Sequence, residues 1–556
     1  MIGTLKRLDI AEADYLHASK DACTPDTRVD MRKTIMGHLN DSSNRFVWLK
    51  GSPGTGKTAI SKSIAIDLKK QGRLAASFYF EKTGANQFAN STDRFSSTLA
   101  RQLANFHPPY RHALFCHLRA QHGDYPPSPM EQLHELVIAR LDEHPDMPFP
   151  SSVIVLDGLD ECGGSDQKAL EALMTLVLEL SKLPSSIKFF IASRPERAIS
   201  SAWSRHPQAK YIVIEDVDSI RVEENRADIV KYVQESLSQI PDRGSPNWPP
   251  SEEDVVIFAD QCQGIFEIAR IRVRFLEQEA PAGARMDEVF NILIQTRSGP
   301  AGASQFAEEY LWILRRAFPS PDETGLYTLQ REVRESARAR FRTVIGAILA
   351  MRWPLPVREL SLLLQMEESN VMSVLTPLSS IVKTQESPPG SVGISFFHAT
   401  CSEFLRGKFN EPGSMVDPIF LFEDTIGLVL AAPCLDFLVK QLQPGKILAM
   451  ALDEHAIAVC YASLSWAHHI DLSPQSPHSP TLLAALRPFL SQFLLAWLEF
   501  GWITSSWTGK MLEHRASDFS ADFSEAVSVI QTRLRSLLTE VRAEVSFLDL
   551  LHSGLP

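Results

Sequence analysis

The sequence predicts an α/β core on a parallel five-stranded sheet, followed by a helical domain, a domain of three helices and a hairpin, and a second helical domain. Three observations carry this reading. Short apolar runs alternate with helical patterns between residues 44 and 215, the strand signal fades after about 216, and one isolated pair of apolar runs flanks a Pro-Pro-Gly turn at 388–390. Strands that alternate with helices imply a parallel sheet covered on both faces. The predicted strands are 46–49, 75–80, 153–156, 187–192 and 211–214, with helices near 58–70, 92–105, 130–142 and 167–182.

Taken in order, residues 1–43 form an N-terminal segment and 44–215 the α/β core. Residues 216–300 form a helical domain with helices near 225–239, 252–278 and 286–295; PDRGSPNWPP at 241–250 breaks it, and RSGPAGA at 297–303 bounds it. Residues 301–412 combine helices with the hairpin SSIV (379–382) and ISFF (394–397), then a last helix from about 400, an arrangement that suggests a winged helix. Residues 413–556 read as mostly helical, with a break at SPQSPHSP, 473–480. No 20–50-residue period points to a solenoid or propeller.

A chain of 556 residues with 44% hydrophobic and 22% charged content is ordinary for a globular protein of several domains. Its net charge of −12 argues against a broad nucleic-acid footprint. The stretch 367–380, where a winged-helix recognition helix would lie, holds no Lys or Arg, so no nucleic-acid partner is expected. The seven cysteines are scattered without a C-x-x-C pair, which fits a reducing, cytoplasmic setting. The N-terminal residues carry no signal-peptide pattern. In the most apolar stretch, 481–503, Arg487, Pro488, Gln492 and Glu499 argue against a membrane span and for a buried helical pair.

The densest chemistry lies at 46–58, FVWLKGSPGTGKT. An apolar strand opens into G-x-x-x-x-G-K-T, and a helical pattern follows from Lys57. Gly51, Ser52, Pro53, Gly54, Thr55, Gly56, Lys57, Thr58 and Ala59 are thus expected to bind a nucleoside phosphate. The backbone N–H groups face phosphate oxygens at a helix N-terminus, Lys57 adds a point charge and Thr58 a hydroxyl for Mg2+. This makes the core an α/β P-loop NTPase. In VIVLDGLDE (153–161), a strand ending in Asp157 supplies a second magnesium ligand. Asp160 or Glu161 is then placed to orient and deprotonate an attacking water. In IKFFIASRP (187–195), Arg194 follows a buried strand and can reach a γ-phosphate. H-E-x-x-H is absent, since His134-Glu135 lacks the second histidine, and so are G-x-S-x-G and the [NT]-K-x-D guanine loop, which leaves the base undetermined; the expected cofactors are Mg2+ and ATP/ADP, with GTP open.

Together these residues resemble the NACHT family of STAND, NLR-like signalling NTPases, in particular its large fungal group. The resemblance rests on GSPGTGKTAI, LDGLDE and FFIASRPE, and extends to RFSSTLARQLA (94–104), FRTVIGAILAMRWPLPVREL (341–360), FFHATCSEFL (396–405) and YASLSWAHH (461–469). It covers about residues 5–505 and is similar to the N-terminal region of nephrocystin-3. It implies that the Arg194 strand is inserted between the phosphate-loop strand and the Asp157 strand. It also implies that His398, in FFHATCSEFL, touches a bound diphosphate, and that CTPDTR (23–28) packs against the base, with Thr27 and Arg28 as contacts. The family's effector and repeat domains are not evident, so a sensor or effector is expected to be missing, short or supplied by another chain.

The function so implied is a switch, closed with diphosphate, open and self-assembled with triphosphate, and reset by slow hydrolysis. The alternatives are a nucleotide-stabilised scaffold without productive hydrolysis and, ranked last, a metabolic kinase. Residues 81–130 lack the dense arginine cluster that a kinase lid needs.

Overall fold

The structure is a computed structural model that describes residues 5, 8, 10–18, 20–82, 87–120, 128–142, 148–163, 167–205, 211–241, 245–279, 285–295, 303–321, 328–384, 393–409, 416–422, 427–442, 456–471, 480–494 and 496–497. These residues group into two compact units. The first takes in the described residues up to Gln305 together with His398–Thr400, and the second the remaining described residues from Phe306 onward.

The first unit is organised by a five-stranded sheet in the order β2-β3-β4-β1-β5. The strands are β1 (Phe46–Lys50), β2 (Leu74–Tyr79), β3 (Ser152–Asp157), β4 (Ile187–Ser193) and β5 (Ile212–Asp216). All neighbours pair in parallel. The Arg194 strand, β4, lies between β1 and β3, as the resemblance implies.

The inner strands read as nearly continuous apolar runs because both of their faces are buried. One face sends Phe46, Trp48, Ile154, Leu156, Phe189 and Ile191 into a core that also holds Phe95, Leu99 and Trp203. The other sends Val47, Leu49, Val153, Val155 and Phe190 against Ile60, Ile64 and Leu68 of helix α2 (Lys57–Lys70). In register, Phe46 stacks on Phe189 with ring centroids 4.7 Å apart. The edge strand β5 is only half-buried, and Ile214 is exposed.

Three helices lie where no helix was expected. Helix α1 (Val29–Asn40) runs through the N-terminal segment and buries Met31, Ile35 and Leu39. Helix α4 (Pro108–Ala120) follows α3 (Phe95–Phe106) and opens on two prolines, which read as a loop in sequence but suit a helix's first turn, where no N–H is needed. Helices α5 (residues 129–142) and α6 (Gln167–Glu179) follow as expected, α5 with a wider π-turn at Leu133–Ile138. The third unexpected helix, α7 (Arg197–Arg205), lies between β4 and β5. After the sheet come α8 (Val222–Ser238), α9 (Glu252–Gln261), α10 (Phe266–Glu279) and α11 (Met286–Gln295). The single helix expected at 252–278 is two, because Gln263 (φ 47°) and Gly264 (φ 85°) turn the chain left-handed between α9 and α10. Gly264 O there accepts Asn225 Nδ2 of α8 at 3.1 Å.

The second unit carries α12 (Ala303–Ala317), α13 (Thr328–Ala350), α14 (Val357–Leu364) and α15 (Glu368–Leu375). An antiparallel pair follows, β6 (Val382–Lys383) and β7 (Ser395–Phe396), then α16 (Ala399–Leu405). The expected order of helices, hairpin and helix is present, with shorter paired strands than the apolar runs suggested. Helices α17 (Leu428–Gln441), α18 (Ala456–Asp471) and α19 (Pro480–Pro488) follow among the described residues. The hairpin turn Pro388–Gly390, the boundary at 297–302, the break at 473–479 and most of 495–503 lie outside the described residues. Among the described residues no helix is long and apolar enough to cross a membrane.

Candidate functional site

A parallel sheet gathers the loops after its strands along one edge, and the sequence-predicted residues are gathered there. Lys50 ends β1, Asp157 ends β3 and Ser193 ends β4, with Lys50 paired to Ser193 and Asp157 to Ala192. The loop Gly51–Gly56 leaves β1 and turns into α2. Gly56 stands at the N-cap with φ 96° and no side-chain cap, so the first N–H groups of α2 are left for an anion.

The loop is held from several sides. Lys57 Nζ donates to the Gly51 and Ser52 carbonyls at 2.8 and 2.7 Å. Asp218, in the turn after β5, accepts from Ser52 N at 2.8 Å and from Ser52 Oγ at 2.8 Å. Glu267 N of α10 donates to Gly54 O at 3.1 Å, and Arg28 Nη2 donates to Thr55 O at 3.1 Å. A cavity of about 390 Å³ opens beside it, large enough for a small ligand. Pro53, Gly54, Gly56, Lys57, Thr58 and Ala59 line it, whereas Gly51, Ser52 and Thr55 are not part of its lining and shape the loop instead. Burial brings the Lys57 ammonium down to about 8, with Asp160 pulling the other way.

Asp157 is 2% exposed, and its Oδ1 has no hydrogen-bond partner. Burial raises its carboxyl to about 6, with the Ser61 and Thr58 hydroxyls drawing it back. A buried, unpartnered carboxylate oxygen beside a threonine hydroxyl fits magnesium, which takes one or two protein oxygens and completes its shell with phosphate and water. Among the described residues no cluster of three or more His, Cys, Asp or Glu is found.

The turn after Asp157 needs glycine at 158. Its φ is 71°, and a Cβ there would lie 2.5 Å from Phe80 O. The turn brings two carboxylates to the cavity in different states. Asp160 accepts from Arg194 N at 2.9 Å and pairs with Arg194 Nε at 3.2 Å, so it fixes the arginine from two atoms. Glu161 Oε2 accepts from Lys82 N at 2.9 Å, and its Oε1 lies 4.0 Å from Lys20 Nζ.

Thr27, Arg28 and His398 also line the cavity. Thr27 is buried, with its hydroxyl donated to Thr24 O at 2.7 Å. Arg28 is buried at φ 55°; its backbone N–H donates to Asp228 at 3.0 Å, its Nη2 to Asn225 at 2.8 Å, and its guanidinium lies 4.7 Å from the Phe266 ring centroid. It therefore ties the N-terminal segment, the phosphate loop and α8 together. His398 Nδ1 accepts from Thr400 N at 3.3 Å and lies 2.7 Å from Thr400 Oγ1, which places the ring proton on Nε2. Burial, reinforced by the positive charges of Lys20, Arg194, Lys57 and Arg270, holds this imidazole neutral.

The sequence did not point to Lys20, Asp218, Tyr232, Phe266, Arg270 or Arg274. All but Asp218 line the cavity, and none belongs to a motif. The phenylalanine ring at 266 and the tyrosine ring at 232 lie 5.9 Å apart. Only Asp218, just after a strand end, carried any positional hint.

Comparison with known proteins agrees in part. The chain matches the family described as Nephrocystin 3, N-terminal, over residues 31–194, a span that runs from α1 to Arg194. No curated protein matches it by sequence. Among solved structures it is similar to a Signal Transduction ATPase with Numerous Domains (STAND) protein with a tetratricopeptide repeat sensor from Pyrococcus horikoshii. The identity is 11% and the TM-score 0.37, with 93% of this chain and 66% of that one covered. Cdc6p from Pyrobaculum aerophilum matches at 15% identity and TM-score 0.32, covering 71% and 98%. A RuvB variant of Thermotoga maritima matches at 15% identity and TM-score 0.25, covering 68% and 95%. At these scores the similarity is loose, and this chain spans just under two thirds of the STAND protein's length.

Proposed function

We propose that the chain is a nucleotide-operated signalling switch of the NACHT/STAND type, with slow magnesium-dependent hydrolysis and self-assembly in its triphosphate form. One observation carries the reading: Lys57, Thr58, Asp157, Arg194 and His398 all line a single cavity. A phosphate cradle alone binds. A cradle that also holds an arginine fixed by a carboxylate, and a neutral histidine contributed by residues 398–400, can distinguish the two nucleotide states.

In this reading Lys57 and the first N–H groups of α2 hold the β and γ phosphates. Thr58 and Asp157 would hold magnesium, which when bound supplies positive charge to the β and γ oxygens. Because Asp160 is committed to Arg194, Glu161 is the better placed of the two acids to orient water. The water oxygen attacks the γ-phosphorus, the bond from that phosphorus to the β–γ bridging oxygen breaks, and the water proton passes through the carboxylate to the released phosphate. Arg194 steadies the charge on the γ oxygens. The segments 216–300, 301–412 and 413–556 then serve as helical, winged-helix and second helical domains. A fungal recognition or incompatibility role in the cytoplasm, with partner chains as sensor or effector, follows from the family resemblance.

A second reading, a nucleotide-stabilised scaffold, is favoured by the engagement of both Asp160 and Glu161 with protein donors. Identifying the nucleotide carried by the purified chain, then measuring particle mass with and without excess triphosphate, separates the two. A switch grows in mass with triphosphate; an unchanged mass points to the scaffold.

A further inference from the structure

The N-terminal segment runs along the first unit as a strap. It caps the outer edge of the sheet, where Tyr79 N donates to Ala13 O at 2.7 Å and Tyr15 N donates to Ser77 Oγ at 3.0 Å. It then crosses α2, whose Lys62 Nζ donates to the Ala18 and Lys20 carbonyls at 3.1 and 2.9 Å. On its far side Asp21 pairs with Arg270 of α10 at 3.2 Å, and Cys23 N donates to Ser63 Oγ at 2.9 Å. The backbone on either side of residue 20 is therefore anchored to α2, and Lys20 lines the cavity with Lys57, Asp157, Arg194 and Glu161.

The protein does not saturate this ammonium with Glu161. Their separation of 4.0 Å is an ion pair without a hydrogen bond. Three cations (Lys20, Lys57, Arg194) and three acids (Asp157, Asp160, Glu161) share this end of the cavity. An anion that replaces Glu161 as the partner of Lys20 would be held by a charge-assisted bond and would leave Glu161 held only through its Oε2 by Lys82 N.

We propose that Lys20 is a second phosphate-binding lysine, delivered by the N-terminal strap, which grips the terminal phosphate and so makes the site prefer triphosphate over diphosphate. This rests on the nucleotide reading of the same cavity. It assigns a role to a residue outside every motif in the chain.

The test measures binding of ATPγS, GTPγS, ADP and GDP, each with magnesium, to the full chain and to Lys20→Ala, Lys20→Gln, Lys20→Arg and Glu161→Gln. Removing one charge-assisted contact is expected to weaken the γ-thio triphosphates about tenfold or more and the diphosphates less than threefold, in both the Ala and Gln variants. Lys20→Arg is expected to recover most of the loss. Melting curves check that each variant is folded, and Lys20→Gln carries the test if the alanine variant is not. An equal loss for both nucleotide classes, or none, overturns the role. So does the same selective loss in Glu161→Gln, because Lys20 would then act only by anchoring that carboxylate. Should the unaltered chain bind none of the four nucleotides, the nucleotide reading fails and this role with it; selective failure in the Lys20 variants alone leaves that reading standing.

Discussion

The loop after β1 and α2 supply Pro53, Gly54, Gly56, Lys57, Thr58 and Ala59 to the cavity from one continuous stretch, whereas the rest of the lining draws Lys20, Asp157, Arg194, Phe266, Arg270 and His398 from about 380 positions of chain. The first group needs only a strand, a turn and a helix in succession, because a helix N-terminus is an anion site wherever it forms. The second group exists only if the sheet, the strap, α8 and α10 all fold and the chain returns at residues 398–400. The contrast suggests that binding resides in the local part and discrimination between nucleotide states in the assembled part.

The largest effect should come from breaking the local part. Lys57→Ala removes the ammonium from the cradle and is expected to cut the affinity for both triphosphate and diphosphate about 100-fold or more, measured by titration with a fluorescent nucleotide. Retained affinity would remove the site from this cavity.

An intermediate effect should come from the Asp160–Arg194 pair, which belongs to the assembled part. If Asp160 acts by holding the arginine, Asp160→Asn and Arg194→Ala should each weaken triphosphate binding about tenfold, and the double variant should be little worse than either single one. Additive losses would mean that Asp160 contacts the ligand or water itself, which would return it to the role of base.

The smallest effect is expected at His398. His398 is held neutral and Thr400 engages its Nδ1, so it brings no charge to a bound diphosphate. His398→Ala should therefore weaken diphosphate binding about fivefold, read from its dissociation rate. An unchanged rate would make His398 a packing residue. A loss as large as that of Lys57→Ala would mean that the distinction between local and assembled parts is wrong.

Much of the fold was legible for a simple reason. The inner strands are buried on both faces, so FVWL, VIVL and IKFFIA stand out as apolar runs, while Gly51–Thr58 stands out by its glycine spacing between a strand and a helix. The helices that escaped notice fail on local signals. Helix α4 starts at two prolines, α7 is short, and α1 lies in a segment with charged residues on its outer face. The break between α9 and α10 depends on left-handed Gln263 and Gly264 and on Asn225 of α8, a contact no local pattern encodes. The loop residues Gly51, Ser52 and Thr55 were expected to belong to the nucleotide-binding loop. Outside the lining, they hold the loop's shape, with Ser52 bonded to Asp218 and Thr55 Oγ1 donating to Ser52 O at 2.9 Å.

By itself the sequence determined the phosphate loop, the strand ending in Asp157 and the strand before Arg194, because each is a run of neighbours whose chemistry depends on spacing along the chain. Only the tertiary structure decided that Asp160 grips Arg194, that Arg28 ties the loop to α8, and that Lys20 and His398 line the same cavity. Those outcomes depend on which surfaces are buried against one another, and burial is a property of the assembled chain.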